Sequence, residues 1–311
     1  MWLDLSTGVN PWPWPLPPDL PSAAWQHLPS RAAEDALIAA ARGAYAVPVD
    51  AGVVAAPGTQ SLIQWLPQLA REGVVAIVEP TYSEHARAWR IAGHEVIAIA
   101  DLSDLPEAAR HAVVVNPNNP DGRVTPRATL LHAAKLLQGR GGWLVIDEAF
   151  ADIEPGISAV ELCADLPVVV LRSFGKFYGL AGLRLGFAVA AGDIVQRVAL
   201  ALGPWSCSGP ALNIGAGALR DHEWAQGTRR AIQNQARKVD AVLAAADFEA
   251  VGGTGLFQLA RHPAANKIHT ALAARHIWCR CFEWADDLLR FGLPQSDQDL
   301  DRLGAALASF K

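Results

Sequence analysis

Between residues 52 and 176 the chain repeatedly places a short run of aliphatic, mostly β-branched residues directly before a polar cluster. The segments are GVVAAPGTQ, VVAIVEP, EVIAIA, HAVVVNPNNPDG, GGWLVIDEAFAD and VVVLRSFGK. Helix-compatible stretches, RAAEDALIAAARGAYAV, SLIQWLPQLARE and TYSEHARAWRIAG, precede or separate the runs. Strands that alternate with helices and are apolar on both faces specify an α/β fold with a mostly parallel sheet. In such a sheet the polar residues that follow each strand gather at one edge, where ligands bind. Gly58, Asn119, Asp147 and Lys176 are therefore expected on one edge of one sheet.

The flanks have a different texture. Residues 1–30 form an expected arm: six prolines fall between Pro11 and Pro21, interleaved with Trp12 and Trp14, with Trp2 and Trp25 nearby. Proline disfavours helix, and tryptophans are costly to expose, so the arm should be extended and docked on the body of the protein. Residues 31–205 are expected to form the large ligand-binding domain. Residues 206–311 open with one long helix over roughly 210–247 and continue through GGTGLFQLA, NKIHTALAARH and the alternating IWCRCFEW to DLLRFGLP and a last amphipathic helix. That pattern reads as a smaller α+β domain.

With 51% hydrophobic and 18% charged residues over 311 positions, the chain can bury a substantial core. A formal net charge of −5 and the lack of a basic cluster argue against nucleic acid or an anionic membrane as partner. The start MWLDLSTGVNPWPWP lacks the basic and apolar blocks of an export signal. Cys163, Cys207, Cys279 and Cys281 have no metal-ligand spacing, so no metal site and a reduced cytoplasmic setting are expected.

Segment 171–189, LRSFGKFYGLAGLRLGFAV, carries the sharpest chemistry. Enclosed by Phe174, Phe177 and Leu180, the Lys176 amine should be poorly hydrated, which lowers its pKa and frees it to condense with a carbonyl. Ser173 and Arg184 offer a hydroxyl and a guanidinium fork, donors suited to a phosphate monoester. An amine beside an anion clamp points to a phosphorylated aldehyde, and pyridoxal 5′-phosphate (PLP) is the common one.

The ordered set APGTQ, PTY, NPNNPDG, DEAF, SFGKFYGLAGLRLG and LLRFG resembles the fold-type-I PLP-dependent enzymes of the class I/II aminotransferase superfamily over nearly the whole chain. Within it the opening LDLSTGVNP is most similar to the L-threonine O-3-phosphate decarboxylases of cobalamin biosynthesis, with the histidinol-phosphate aminotransferases next. The resemblance implies that Lys176 forms the Schiff base and that Asp147 faces the pyridine nitrogen. By the same resemblance Asn119 would reach the phenolic oxygen and Tyr82 would stack on the ring. Gly58, Thr59 and Gln60 would open a helix that receives the cofactor phosphate together with Ser173 and Arg184. His85, one helical turn after Tyr82, is placed to support Asp147. Arg290 in LLRFG matches the arginine that binds the substrate carboxylate or phosphate, and Ser6, Thr7, Gly8 and Asn10 are candidates for further contacts to a small phosphorylated amino acid.

Two positions depart from the pattern. Phe150 stands where a tyrosine hydroxyl often faces the cofactor, and Leu28 stands where a tyrosine often reaches the partner subunit. The expected reaction is decarboxylation of L-threonine O-3-phosphate in a homodimer. The alternatives are transamination at the same residues and a catalytically silent protein of the same fold.

Overall fold

The computed structural model describes residues 1–310. After a short strand β1 (Leu3–Asp4), seven strands build the central sheet: β2 (Ala51–Ala56), β3 (Val74–Val78), β4 (Glu95–Ile99), β5 (Ala109–Val115), β6 (Leu144–Asp147), β7 (Val168–Ser173) and β8 (Gly186–Ala191). Their order is β2-β8-β7-β6-β5-β3-β4. β8 runs antiparallel to its two neighbours, and every other pairing is parallel. The carboxyl ends of β5, β6 and β7 therefore share one edge, with Val115 opposite Asp147 and Asp147 opposite Leu171.

The runs form interior strands because both faces are covered. Ala112, Val114, Ile146 and Val170 enter one buried cluster, and Val113, Val145, Val169 and Leu171 enter another. Burying each such Val, Leu or Ile favours the fold by roughly 1.5–3 kcal/mol before the entropy of ordering it is counted. Among the covering helices, Arg31–Ala44 starts at Ser30, whose side chain accepts from the amide of Ala33, and carries Glu34 in its first turn.

Beyond the sheet come β9 (Glu249–Thr254), β10 (Phe257–Arg261), β11 (Ile277–Trp278), β12 (Arg280–Phe282) and β13 (Ala285–Gly292). Four of these make an antiparallel sheet of order β12-β13-β10-β9, while β11 pairs in parallel with β1. Phe257, Leu289 and Phe291 of this part share a cluster with Leu37, Phe174 and Phe187, so one core runs through both sheets.

The expected single helix over 210–247 is two helices, Gly209–Arg220 and His222–Ala245. Asp221 makes the break: its backbone leaves the helical region, and its side chain accepts from the amide of Trp224 to cap the second helix. The apolar periodicity continues across the corner, which is why the pattern concealed it.

The arm is extended apart from one helical turn, Ala23–Gln26, and it docks on its own chain. Trp12 Nε1 donates to the carbonyl of Gln295 (2.9 Å), Trp14 Nε1 donates to Asp221 Oδ2 (3.0 Å), and the amides of Asn10 and Trp14 donate to the carbonyls of Lys176 and Tyr178. Trp25 and Leu28 remain exposed. All four cysteines are free, and burial pushes the thiols of Cys207 and Cys279 up to about 11 and about 12. Among the described residues no helix is long and apolar enough to cross a membrane, and no cluster of metal-ligating side chains occurs.

Candidate active site

A cavity of about 210 Å³ opens at the shared carboxyl edge. Thr59, Gln60, Tyr82, Asn119, Asp147, Ser173, Lys176 and Arg184 line it, with Phe150 and Ala149 closing one side.

One end is built to receive an anion. Helix Thr59–Leu69 begins there, with Gly58 before it at φ 81° and ψ 156°, a conformation open essentially to glycine alone. A Cβ on Gly58 would stand 2.7 Å from Arg184 Nη2, so the missing side chain is the space the guanidinium occupies. Arg184 itself takes the left-handed conformation, φ 52° and ψ 59°, and its Nη1 donates to the carbonyl of Ala181 (3.0 Å). That strained turn directs the fork back over the helix start. First-turn amides, the Ser173 hydroxyl and a guanidinium thus converge in one cradle.

A carboxylate stands elsewhere on the wall. Asp147 ends β6, is 4% exposed, accepts from the amide of Ala149 through Oδ1 (3.0 Å), and has His85 Nε2 2.9 Å from Oδ2. A carboxylate can only accept, so Nε2 carries the proton of this bond. His85 is thereby placed behind Asp147, as its position one turn after Tyr82 suggests. Tyr82 sits at the mouth, 40% exposed, and donates to Gln60 Oε1 (3.1 Å). Burial first, then Glu84 and Asp147, raise its hydroxyl pKa.

Lys176 lies two residues beyond the start of the short helix Phe174–Phe177. Burial, followed by the charges of Arg290 and Arg184, holds its amine below the usual lysine value, and Asp147 opposes them. The amine lies 5.5 Å from the centre of the Phe150 ring, which in turn packs edge to face on Phe257 at 5.1 Å. Phe150 thus contributes enclosure at the place where a hydroxyl is absent.

Asn119 projects from a loop fixed by its neighbours. Asn118 Nδ2 donates to the carbonyl of Pro80 and to Asp121 Oδ1, and Asn116 Oδ1 accepts from the amide of Thr125. Asn119 Oδ1 accepts from Arg290 Nη1, and Arg290 Nη2 donates to the carbonyl of Ser6 (2.6 Å). Arg290 is 7% exposed, lies 4.8 Å over the Phe257 ring, and has a buried Nε without a partner. Burial and then Arg280 bring its pKa down to about 10.

The arm residues do not line the cavity. Asn10 is buried and spends both amide protons on the carbonyls of Trp12 (2.9 Å) and Phe177 (2.8 Å). The Ser6 hydroxyl and amide both bind Asp4 Oδ1. Thr7 is exposed, and Gly8 is pressed so closely on Phe150 and Phe257 that a Cβ would stand 2.9 Å and 2.8 Å from their rings. In this structure Asn10, Ser6 and Gly8 hold the arm against the site, and Ser6 meets Arg290 through its carbonyl. Sequence reasoning missed the buried charges behind the site, Arg172 and Asp152, although an arginine inside the run VVVLRS was the signal for them.

Known proteins resemble this chain along nearly its whole length. The sequence model of the family described as aminotransferase class I and II matches residues 26–307. A threonine-phosphate decarboxylase from Pseudomonas aeruginosa is 42% identical over all of this chain and 92% of its own length. A second, from a Sinorhizobium species, is 44% identical over 99% of this chain and 92% of its own length. Among solved structures, the histidinol-phosphate aminotransferase of Sinorhizobium meliloti in complex with pyridoxal 5′-phosphate superposes with a TM-score of 0.83, covering 99% of this chain and 90% of that one at 19% identity. At that identity the likeness speaks to the fold alone.

Proposed function

The chain belongs to the class I and II aminotransferase family, and within it we propose that it decarboxylates L-threonine O-3-phosphate, using PLP and releasing carbon dioxide and (R)-1-aminopropan-2-yl phosphate. The observation that carries this reading is the likeness, along essentially the whole chain, to two threonine-phosphate decarboxylases.

The residues present fit the cofactor. The cradle at Gly58, Thr59, Gln60, Ser173 and Arg184 suits its phosphate, and the space that a Gly58 Cβ would fill is the space the cradle uses. Asp147, backed by His85, would hold a proton on the pyridine nitrogen. Asn119, with its Oδ1 committed to Arg290, would turn its amide protons toward the phenolic oxygen. When bound, the cofactor supplies an electron sink for the one substrate Cα bond held perpendicular to its ring.

The protein's part is to choose that bond and to manage the proton. Arg290 would anchor the substrate carboxylate or phosphate through two parallel hydrogen bonds, and this anchor fixes which Cα bond stands perpendicular. In decarboxylation the bond from Cα to the carboxylate breaks, the electron pair stays at Cα, and a proton takes its place. Lys176 Nζ, enclosed by Phe150 and held below the ordinary lysine pKa, would hold and deliver that proton. The arm, packed at Gly8 over Phe150 and Phe257, keeps water from that side.

We further propose a cytoplasmic homodimer acting in cobalamin assembly. Leu16, Trp25, Leu28, Leu200 and Trp205 form exposed apolar surface that a second subunit would cover, and four unpaired thiols suit a reducing compartment.

The test supplies the PLP-loaded protein with L-threonine O-3-phosphate and no keto acid, following carbon dioxide and aminopropanol phosphate. A parallel reaction contains histidinol phosphate and 2-oxoglutarate. Turnover in the first alone supports the decarboxylase; glutamate formed in the second alone replaces it with an aminotransferase.

A further inference from the structure

Glu148 directly follows Asp147, and Arg172 directly precedes Ser173. Side chains alternate along a strand, so these neighbours leave the sheet on the face opposite the site. The burial pattern agrees: Val145 and Leu171 join one cluster, whereas Ile146 and Val170 join the other. On that far face Arg172 is 2% exposed, with Glu148 at 0% and Asp152 at 3%. Arg172 Nη1 donates to Glu148 Oε2 (2.8 Å), and Nη2 donates to Asp152 Oδ1 (2.5 Å). Glu148 also accepts from the Ser158 hydroxyl (2.7 Å) and the Ala159 amide (2.6 Å). Arg229 Nε donates to the carbonyl of Asp152 (2.8 Å), and its guanidinium lies over the Phe177 ring, next to Lys176.

A buried charge triad is weak evidence for stability, because desolvation consumes most of the attraction and apolar side chains can do as well. What a guanidinium fork supplies is geometry: two acceptors fixed in one plane. Here the acceptors are the two ends of a single turn, Glu148 and Asp152, and the middle of that turn is Phe150, whose ring stands against the Lys176 amine. The residue before the turn is Asp147.

We propose that Arg172 is a positioning residue, which by clipping both ends of the 148–152 turn sets Phe150 and Asp147 against Lys176 from the far face of the sheet. This rests on Lys176 and Asp147 being the cofactor residues.

Two variants test it. Arg172→Lys keeps the charge but loses the fork. The triple change Glu148→Gln, Asp152→Asn and Arg172→Met removes all three charges, leaves an acceptor oxygen for the Ala159 amide, and lets the Ser158 hydroxyl turn to accept from the new NH2. Both are expected to take up PLP. A reacting centre displaced by about 1 Å costs about 100-fold, so kcat should fall by that order while KM stays within about threefold. The second readout is the rate of PLP uptake by cofactor-free protein against pH. Its midpoint should move up toward the ordinary lysine range as the turn loosens and water reaches Nζ. Folded variants with a lowered Tm, an unchanged kcat per loaded site and an unchanged midpoint would make the triad a stability element only and overturn the proposal. If the triple variant does not fold, Arg172→Lys decides on the same two readouts. Failure of the wild-type protein to take up PLP would instead remove the cofactor assignment of Lys176.

Discussion

Replacing Gly58 by alanine should weaken cofactor binding by about one order of magnitude, and the structure gives the route. The backbone at φ 81° and ψ 156° lies in a region that costs a residue with a side chain on the order of 1–3 kcal/mol. The new methyl would also stand 2.7 Å from Arg184 Nη2. A flexible guanidinium yields more readily than a helix start, so Arg184 swings out of the cradle. The charge-assisted hydrogen bond it would make to the phosphate goes with it, a loss of about 1.5–3 kcal/mol in general. Arg184 is exposed in this chain, which favours the lower end of the range. At 1.4 kcal/mol per decade, a loss of about 1.5–2 kcal/mol raises the dissociation constant about 10- to 30-fold. Equilibrium titration of cofactor-free Gly58→Ala with PLP, read by absorbance beside Arg184→Lys, measures it. A folded Gly58→Ala protein with a dissociation constant within about threefold of wild type, too small a change for a lost charged hydrogen bond, would refute Arg184 as a phosphate ligand.

Three more outcomes are expected. Arg290→Lys removes the fork that now reaches Asn119 and Ser6, so KM for L-threonine O-3-phosphate should rise about 10- to 100-fold with the cofactor absorbance intact; an unchanged KM places Arg290 outside the substrate site. Asn10→Ala leaves the carbonyls of Trp12 and Phe177 without their donor, which should cost about 1–3 kcal/mol in denaturant melts and raise KM by loosening the arm; wild-type stability would remove Asn10 as the clamp. Burial, then Arg290 and Arg184, lower the Lys176 pKa against Asp147, so from that lowered value up to about 10.4 the unfolded chain binds more protons than the folded one. The stability of cofactor-free protein should therefore rise with pH across that window, and Lys176→Met should flatten the rise; identical pH profiles for the two proteins would contradict it.

The sheet and the groups at its edge were legible because each strand is a short apolar run with its candidate site residue at or just past its end, as in WLVID and VVVLRSFGK. Parallel order then brings Asn119, Asp147, Ser173 and Lys176 to one cavity without any further information. The contacts of the arm were not legible for a physical reason: Ser6 and Asn10 are of the residue types that bind anions, yet the same donors fix a proline-rich segment, and only the fold reveals that Asp4 and the carbonyls of Trp12 and Phe177 engage them. The corner at Asp221 was hidden because the helices on either side bury compatible faces, and a capping aspartate inside an amphipathic pattern looks like one more polar residue. Arg172 was passed over because the sequence reading went to Ser173 and Lys176 just after it and gave the arginine no role. Its burial, and the separation of Glu148 and Asp152 that lets one fork meet both, appear only in three dimensions.

The order of the sheet also dictates when the site can exist. β2 lies at the edge and has a single partner, β8, with Ala51 paired to Ala191. The interior strands β5, β6 and β7 can associate as soon as they are made, whereas β2 must wait for a strand much later in the chain. The cradle straddles that last junction, because Gly58 and Thr59 follow β2 while Arg184 lies two residues before the start of β8, and Gly186 packs against the Thr59 amide. On the proposed assignment, PLP would meet its phosphate site only after the longest loop in the sheet has closed. Supplied from the start of refolding, it should leave the closure rate unchanged and slow the reopening, so that the cofactor would act as a latch on a finished sheet and not as a template for one.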